Sequence, residues 1–191
     1  EFIREMLALG QEFTGIYETE PDIAKELATK YHVPLFDTGE DLLKRRPDIL
    51  GTSAVNRQKI ELLALCREKG IHVMADKPIV TTGADCDRLE EIVKEGRIQV
   101  GMMLTERFNP PIYALWKMIR EGKLGELISF TIMKPHKLRE ETRAPWHFSR
   151  EENGGIAVDL LIHDIDLLRW FTGSEMTSCS GYIGKTGYPQ Y

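Results

Sequence analysis

The first hundred residues alternate between two patterns of hydrophobic and polar positions. Some segments repeat apolar residues every three or four positions, as amphipathic helices do, and others are short apolar runs bounded by turn residues, which is typical of buried strands. The predicted helices cover residues 1–9, 21–32, 38–46, 56–69 and 84–95. The predicted strands cover residues 13–18, 48–54, 71–75 and 98–104. Because strands and helices alternate with short connections, we predict an α/β fold with a doubly wound parallel sheet.

The second half of the chain has a different order of elements. A helix over residues 109–122 precedes an alternating strand over 126–134, a basic loop, a long apolar helix and a strand over 177–184. This order predicts a second, α+β domain with an open sheet, and we place the two domains at residues 1–104 and 105–191. Since two strands are too few for a stable sheet, we expect further strands after residue 191, so that this domain is only partly present.

The long apolar helix is predicted over residues 153–170, NGGIAVDLLIHDIDLLRW. Its apolar residues leave almost no solvent-facing side, which predicts burial all round. Asp159, His163 and Asp166 nevertheless share one face, because helical residues three and four positions apart are neighbours. A buried histidine one turn from an aspartate is either a structural pair or a general acid/base, and both interpretations stay open here. Ligation of a metal in a hydrolase is a weaker alternative, because metal ligands usually come from several elements.

Polar residues follow the ends of the predicted strands in the first half. In doubly wound sheets, ligands bind outside the carboxyl ends of the strands, so these positions are candidate binding residues. They are Glu18, Thr19, Thr52, Ser53, Asp76, Lys77, Pro78, Thr105, Glu106 and Arg107. An acid like Glu18 binds the cofactor ribose in Rossmann domains about 20 residues after a glycine-rich turn. We therefore expect that the first strand and this turn precede residue 1 and are missing here.

Composition narrows the classes of partner. The formal net charge of −5 disfavours nucleic acid and anionic membranes, so a small molecule is the expected partner. No apolar run is long enough to predict a membrane span. Three cysteines without metal-binding or paired spacing favour a reducing, cytoplasmic compartment.

Three segments together resemble the glucose–fructose oxidoreductase/inositol dehydrogenase (Gfo/Idh/MocA) family. They are HVMADKPIV, TERFNPPIYALWKMIREGKLGELISF and NGGIAVDLLIHDIDLLRWFTG. The resemblance implies an amino-terminal Rossmann domain and a carboxyl-terminal α/β domain whose open sheet supports homo-oligomers. It also implies a dehydrogenase that transfers a hydride between NAD or NADP and a hydroxyl-bearing carbon of a sugar, polyol or related substrate.

The resemblance also implies the residues of the active site. The lysine of the family's Glu-Lys-Pro motif falls on Lys77, and its aspartate and histidine fall on Asp159 and His163. His163 is expected to accept the hydroxyl proton, Asp159 to fix its tautomer, and Lys77 to donate to the substrate oxygen. The motif's glutamate is Asp76 here, which keeps the charge.

Two further sets of binding residues are predicted. Cofactor contacts are expected from Glu18, Thr52, Ser53, Asn56, Asp76 and Lys77. Glu18 favours NAD over NADP, because a carboxylate repels a 2′-phosphate. Substrate contacts are expected from Arg107, His136 and Trp146. The family's GxGxxG pattern is absent from this sequence, so the phosphate cradle is not among its residues.

Two alternative functions would also use a bound dinucleotide but differ from a dehydrogenase in their activity. Some relatives are NAD-dependent glycosidases, which oxidise the substrate transiently and produce no net NADH. A non-catalytic dinucleotide-binding regulator would bind NAD without turnover. The sequence leaves the substrate open among sugars and polyols.

Overall fold

The computed structural model describes residues 2–184 and has a parallel sheet of three strands. The strands are β1 (Ile49–Thr52), β2 (His72–Asp76) and β3 (Val100–Met103), in the order β1-β2-β3. Val73 of the central strand lies opposite Leu50 on one side and Val100 on the other. The parallel α/β arrangement predicted from the hydrophobic pattern is confirmed for this half of the chain.

Helices connect these strands, as parallel pairing requires. The first half contains α1 (Phe2–Ala8), α2 (Pro21–Tyr31), α3 (Gly39–Lys44), α4 (Lys59–Lys69) and α5 (Gly83–Lys94). The hydroxyls of Thr38 and Thr82 cap α3 and α5 by accepting hydrogen bonds from backbone N–H groups in the first turn, which explains where both helices begin. A core formed by α4, α5 and the sheet includes Leu63 and Ala75, both with 0% exposure.

The predicted strand over residues 13–18 is reduced to a single parallel bridge between Ile16 and Leu35. Ile16 donates to the carbonyl of Pro34 and accepts from Phe36, both at 2.8 Å. Pro34 has no N–H to donate, which limits how far a ladder can extend through this segment.

Between residues 105 and 184 the chain has four α-helices separated by irregular segments and short 3-10 turns. They are α6 (Pro110–Arg120), α7 (Arg150–Asn153), α8 (Ile156–Asp159) and α9 (Leu161–Thr172). The strands predicted over residues 126–134 and 177–184 are wrong, since both segments are irregular. Within residues 2–184 neither has a partner strand, and an alternating pattern forms a strand only when its backbone groups are paired.

The prediction of one continuous helix over residues 153–170 is also wrong. Gly154 and Gly155 have φ values of 90° and 83° and separate α7 from α8. A Cβ on Gly154 would lie 3.0 Å from Val158, so this turn requires glycine in two ways. Leu160 separates α8 from α9.

The prediction that this region is buried all round is only partly confirmed. Leu167 and Phe171 are buried, whereas Ile156, Leu161 and Ile165 are each at least 40% exposed. Asp159 and Asp166 are also buried, and each carboxylate binds a cationic side chain. Within residues 2–184, no helix has both the length and the apolar composition that crossing a bilayer requires.

Candidate active site

The carboxyl end of β2 carries a lysine that joins the two halves of the chain. Lys77 follows Asp76, whose carboxylate accepts a hydrogen bond from the Lys77 backbone N–H at 2.9 Å. The Lys77 ammonium donates to Asp159 twice, to Oδ1 at 2.7 Å and to the backbone carbonyl at 2.6 Å. The side chains of Lys77 and Asp159 are only 18% and 7% exposed. The two opposite charges therefore meet largely out of water, where each offsets the desolvation of the other.

His163 lies on α9, one turn beyond this ion pair. Burial lowers the pKa of His163 below its usual value, and Lys77 and Lys134 add to this effect while Glu106 and Asp164 oppose it. A histidine with a lowered pKa is neutral at pH 7 and can accept a proton.

The expected bond from Asp159 that would fix the His163 tautomer is not made through Nδ1. That atom is buried and has no hydrogen-bond partner. Asp159 Oδ1 is bonded to Lys77 instead.

Lys134 joins two acidic side chains from different parts of the chain. It binds Glu106 at 2.5 Å and Asp164 at 3.3 Å. Glu106 is one of the predicted strand-end candidates, and Asp164 directly follows His163 in the sequence. Lys134 comes from a distant part of the chain, and nothing in the sequence pattern marks it.

Arg107, a predicted substrate residue, binds a carboxylate on α9. Its guanidinium forms a two-pronged contact with Asp166, with Nε 2.6 Å from Oδ2, and lies 5.5 Å from the centre of the Trp170 ring. These contacts tie the end of β3 to α9 and use two of the five N–H donors of the guanidinium. Asp159 and Asp166 thus bind two different cations, and Asp159, His163 and Asp166 do not converge on a common metal position.

His136 and Trp146, the other two predicted substrate residues, have different surroundings. His136 lies in an exposed loop, with Nε2 3.3 Å from Arg143. Trp146 stacks on His147, with ring centres 3.7 Å apart. Burial lowers the pKa of His147, and the charges of Asp159 and Lys77 also act on it.

The predicted cofactor residues share the carboxyl edge of the sheet only in part. At the end of β1, Ser53 is exposed, while Thr52 is buried and its hydroxyl accepts from Ala54 N–H at 3.2 Å. The Glu18 carboxylate accepts from the Thr19 hydroxyl at 3.1 Å and from the Glu20 N–H at 3.2 Å. Ser53 and Glu18 thus present polar groups near the surface, as contacts to a dinucleotide require.

Asn56, another predicted cofactor residue, has its side chain in the interior. It is buried, with the amide nitrogen donating to the Asn153 carbonyl at 3.1 Å and the amide oxygen accepting from Lys59 at 3.0 Å. Both functional groups of the side chain thus have partners within the protein. Lys59 and Asn153 are absent from the predicted site.

Two family models match this chain. Residues 1–103 match "Oxidoreductase family, NAD-binding Rossmann fold", and residues 112–190 match "GFO/IDH/MocA C-terminal domain".

Individual relatives agree with these matches. An inositol 2-dehydrogenase from Arthrobacter sp. is 33% identical over 140 residues, which cover 72% of this chain and 38% of the relative. A putative oxidoreductase from Erwinia carotovora atroseptica has a similar structure, with a TM-score of 0.82 and 24% identity over 90% of this chain and 52% of that one. Levoglucosan dehydrogenase in complex with NADH and levoglucosan has a TM-score of 0.72 and 23% identity over 84% of this chain and 45% of that one. The chain spans about half the length, or less, of the curated relatives that it matches.

Proposed function

Because the chain belongs to the GFO/IDH/MocA family of oxidoreductases, we propose that the whole protein is an NAD(P)-dependent dehydrogenase acting on a hydroxyl-bearing carbon of a sugar or polyol. The observation that carries this proposal is the ion pair between Lys77 and Asp159, which lies at a strand's carboxyl end with the His163 ring in its field. This edge of a parallel sheet is where ligands of doubly wound folds bind.

Lys77 and His163 have complementary parts in the proposed reaction. The Lys77 ammonium donates a hydrogen bond to the substrate oxygen and stabilises the negative charge that develops there. His163 accepts the hydroxyl proton, and its lowered pKa keeps it in the neutral form that can do so. The bound nicotinamide supplies the hydride acceptor.

Asp159 has a positioning part in this proposal. Its carboxylate and its backbone carbonyl both accept from the Lys77 ammonium, which leaves the third N–H of the ammonium for substrate. A fixed ammonium loses little entropy when it binds the substrate oxygen, and such preorganisation favours catalysis.

Cofactor binding is proposed at the edge formed by Thr52, Ser53, Asp76 and Lys77, with Glu18 at the ribose. The chemistry of this set fits the nicotinamide and ribose ends of a dinucleotide, which present hydroxyls and an amide rather than phosphates. The carboxylate of Glu18 supports a preference for NAD over NADP. The phosphate cradle is not part of the proposal, because no GxGxxG pattern occurs in the sequence.

The organisation of the protein follows from the same family membership. We propose domains at residues 1–104 and 105–191, which the separate family matches over 1–103 and 112–190 support. Assembly into a homo-oligomer through the carboxyl-terminal sheet and a cytoplasmic location are proposed as well. The free cysteines Cys66, Cys86 and Cys179 support a reducing compartment.

The proposal is tested by following NADH or NADPH absorbance with the full-length enzyme and a panel of sugars and polyols. Turnover with at least one of these substrates, faster with NAD than with NADP, is the expected result. Consumption of a glycoside without net NADH would assign the glycosidase reaction instead. Cofactor binding with no turnover across the panel would assign a regulator.

A further inference from the structure

Lys59, in the first turn of α4, is a buried lysine that the proposed reaction does not use. Its side chain is 1% exposed, which is rare for lysine because burying an ammonium is costly unless its donors are satisfied. The Lys59 ammonium donates to Asn56 Oδ1 at 3.0 Å and to the backbone carbonyls of Asp76 and Pro78 at 2.9 Å each. The three donors of an ammonium thus meet three acceptors.

Two of these acceptors flank Lys77. The carbonyls of Asp76 and Pro78 belong to the residues immediately before and after the proposed catalytic lysine. A hydrogen bond on each side fixes the backbone from which the Lys77 side chain extends. The position of the Lys77 Cα therefore depends on Lys59.

The third acceptor leads to the other side of the ion pair. Asn56 donates from its amide nitrogen to the Asn153 carbonyl at 3.1 Å, and Asn153 Oδ1 accepts from Gly155 N–H at 3.1 Å. Gly155 directly precedes α8, whose last residue is Asp159. Lys59 and Asn56 thus connect the loop that carries Lys77 with the segment that carries its partner.

Burial and neighbouring charges shift the pKa of Lys59 in opposite directions. Burial lowers the pKa of Lys59 from 10.5 to about 8, with Lys77 adding to this effect and Asp76 and Asp159 opposing it. The side chain therefore carries its charge at pH 7. Above pH 8 it becomes a neutral amine, which has one N–H fewer and turns a lone pair toward an acceptor oxygen.

We propose that Lys59 is a positioning residue, whose ammonium holds the Lys77 loop and, through Asn56, keeps Lys77 in register with Asp159. Lys59 touches neither substrate nor cofactor in this role. The inference rests on the proposed function for its effect on turnover. Its effect on the surroundings of Lys77 is independent of any activity.

The test replaces Lys59 with methionine, which has nearly the same shape and no N–H groups, in the full-length enzyme. We expect Lys59→Met to lower kcat at least tenfold and to leave the KM for NAD within twofold, because the cofactor edge is untouched. The matched control is Lys69→Met at the exposed end of the same helix, which should retain the kcat of the unmodified enzyme.

Two further readouts separate positioning from general loss of structure. The alkaline limb of the kcat profile near pH 8 should disappear in folded Lys59→Met. Reductive methylation followed by mass spectrometry of the Lys77 peptide should show at least fivefold faster modification of Lys77 in this variant. If the unmodified enzyme has no turnover, the proposed function fails while this labelling still tests Lys59.

The inference is overturned if folded Lys59→Met has kcat within twofold of the unmodified enzyme, or if Lys77 is methylated at an unchanged rate. Should Lys59→Met fail to fold, Asn56→Leu replaces it, because this substitution removes one acceptor of the same ammonium and the link to Asn153. Faster methylation of Lys77 in Asn56→Leu supports the inference, and an unchanged rate overturns it.

Discussion

The ion pair between Lys77 and Asp159 should couple the two halves of the chain by a measurable free energy. The perturbations are Lys77→Met and Asp159→Leu, alone and together, in a double-mutant cycle. Each substitution replaces a charged side chain with an apolar side chain of similar size. The cycle therefore isolates the interaction between the two side chains from the packing of each.

The magnitude follows from burial and geometry. Exposed ion pairs contribute about 0.2–1 kcal/mol, whereas removal of one partner from a fully buried pair costs about 3–5 kcal/mol. The Lys77 and Asp159 side chains are 18% and 7% exposed and lie 2.7 Å apart, which places them nearer to the buried limit. In Asp159→Leu the Lys77 ammonium also keeps its hydrogen bond to the backbone carbonyl of residue 159. We therefore expect a coupling energy of about 1.5–3 kcal/mol.

The assay is equilibrium unfolding in urea of the four proteins, at one pH and one salt concentration. The matched control is the Lys94–Glu90 pair on α5, which has the same 2.7 Å separation but side chains that are 71% and 62% exposed. Its coupling should be about 0.3–0.5 kcal/mol and should decrease with salt. A coupling energy below 0.5 kcal/mol for Lys77 and Asp159, or one equal to that of the control pair, would refute the reasoning from burial.

Three other outcomes are expected. Lys77→Met and His163→Asn should each lower turnover by roughly two orders of magnitude, as is typical of acid–base groups. His163→Asn should also lose the acid limb of the pH profile of kcat/KM. Near-normal turnover in either variant would contradict the assignment. Because the pKa of Lys59 is about 8 when folded and 10.5 when unfolded, its charge opposes folding most below pH 8. Between pH 8 and pH 10.5, the free energy of unfolding of the unmodified protein should therefore rise by up to about 3 kcal/mol relative to that of Lys59→Met. If urea unfolding shows a difference between the two proteins that does not change with pH, this reasoning is contradicted. Burial raises the pKa of the Cys66 thiol to about 11, so a thiol reagent at pH 8 should modify exposed Cys86 and leave Cys66 unmodified until the protein unfolds.

Local pattern was enough to predict most of the first half of the fold. The helices and the three paired strands occur within a few residues of their predicted bounds, because each segment buries one apolar face against its neighbours. The strand ends followed from the same pattern, and with them the position of Lys77. The short segment around Ile16 was overpredicted, because its pairing depends on Pro34, which is distant in sequence.

Periodicity was misleading in the segment that carries Asp159 and His163. Its apolar residues predicted one fully buried helix, whereas two glycines and Leu160 divide the region and several apolar side chains are exposed. The pattern marked the two acids and the histidine as polar positions in an apolar segment. It could not show which cation each acid binds, because Lys77 and Arg107 approach from the other half of the chain.

The sequence by itself determined the parallel α/β character of the first half, the family and the identity of the three residues proposed to act together. These follow from local hydrophobic period, turn residues and motif spacing, which are properties of neighbouring positions. Only the tertiary structure shows that Asp159 binds Lys77 and that Asp166 binds Arg107. It also shows that Asn56 lies in the interior and that Lys59 donates hydrogen bonds to the backbone on both sides of Lys77. Those assignments depend on groups 17 to 97 residues apart meeting within hydrogen-bond distance, since burial makes each buried charge or amide pair with whichever partner the fold brings near.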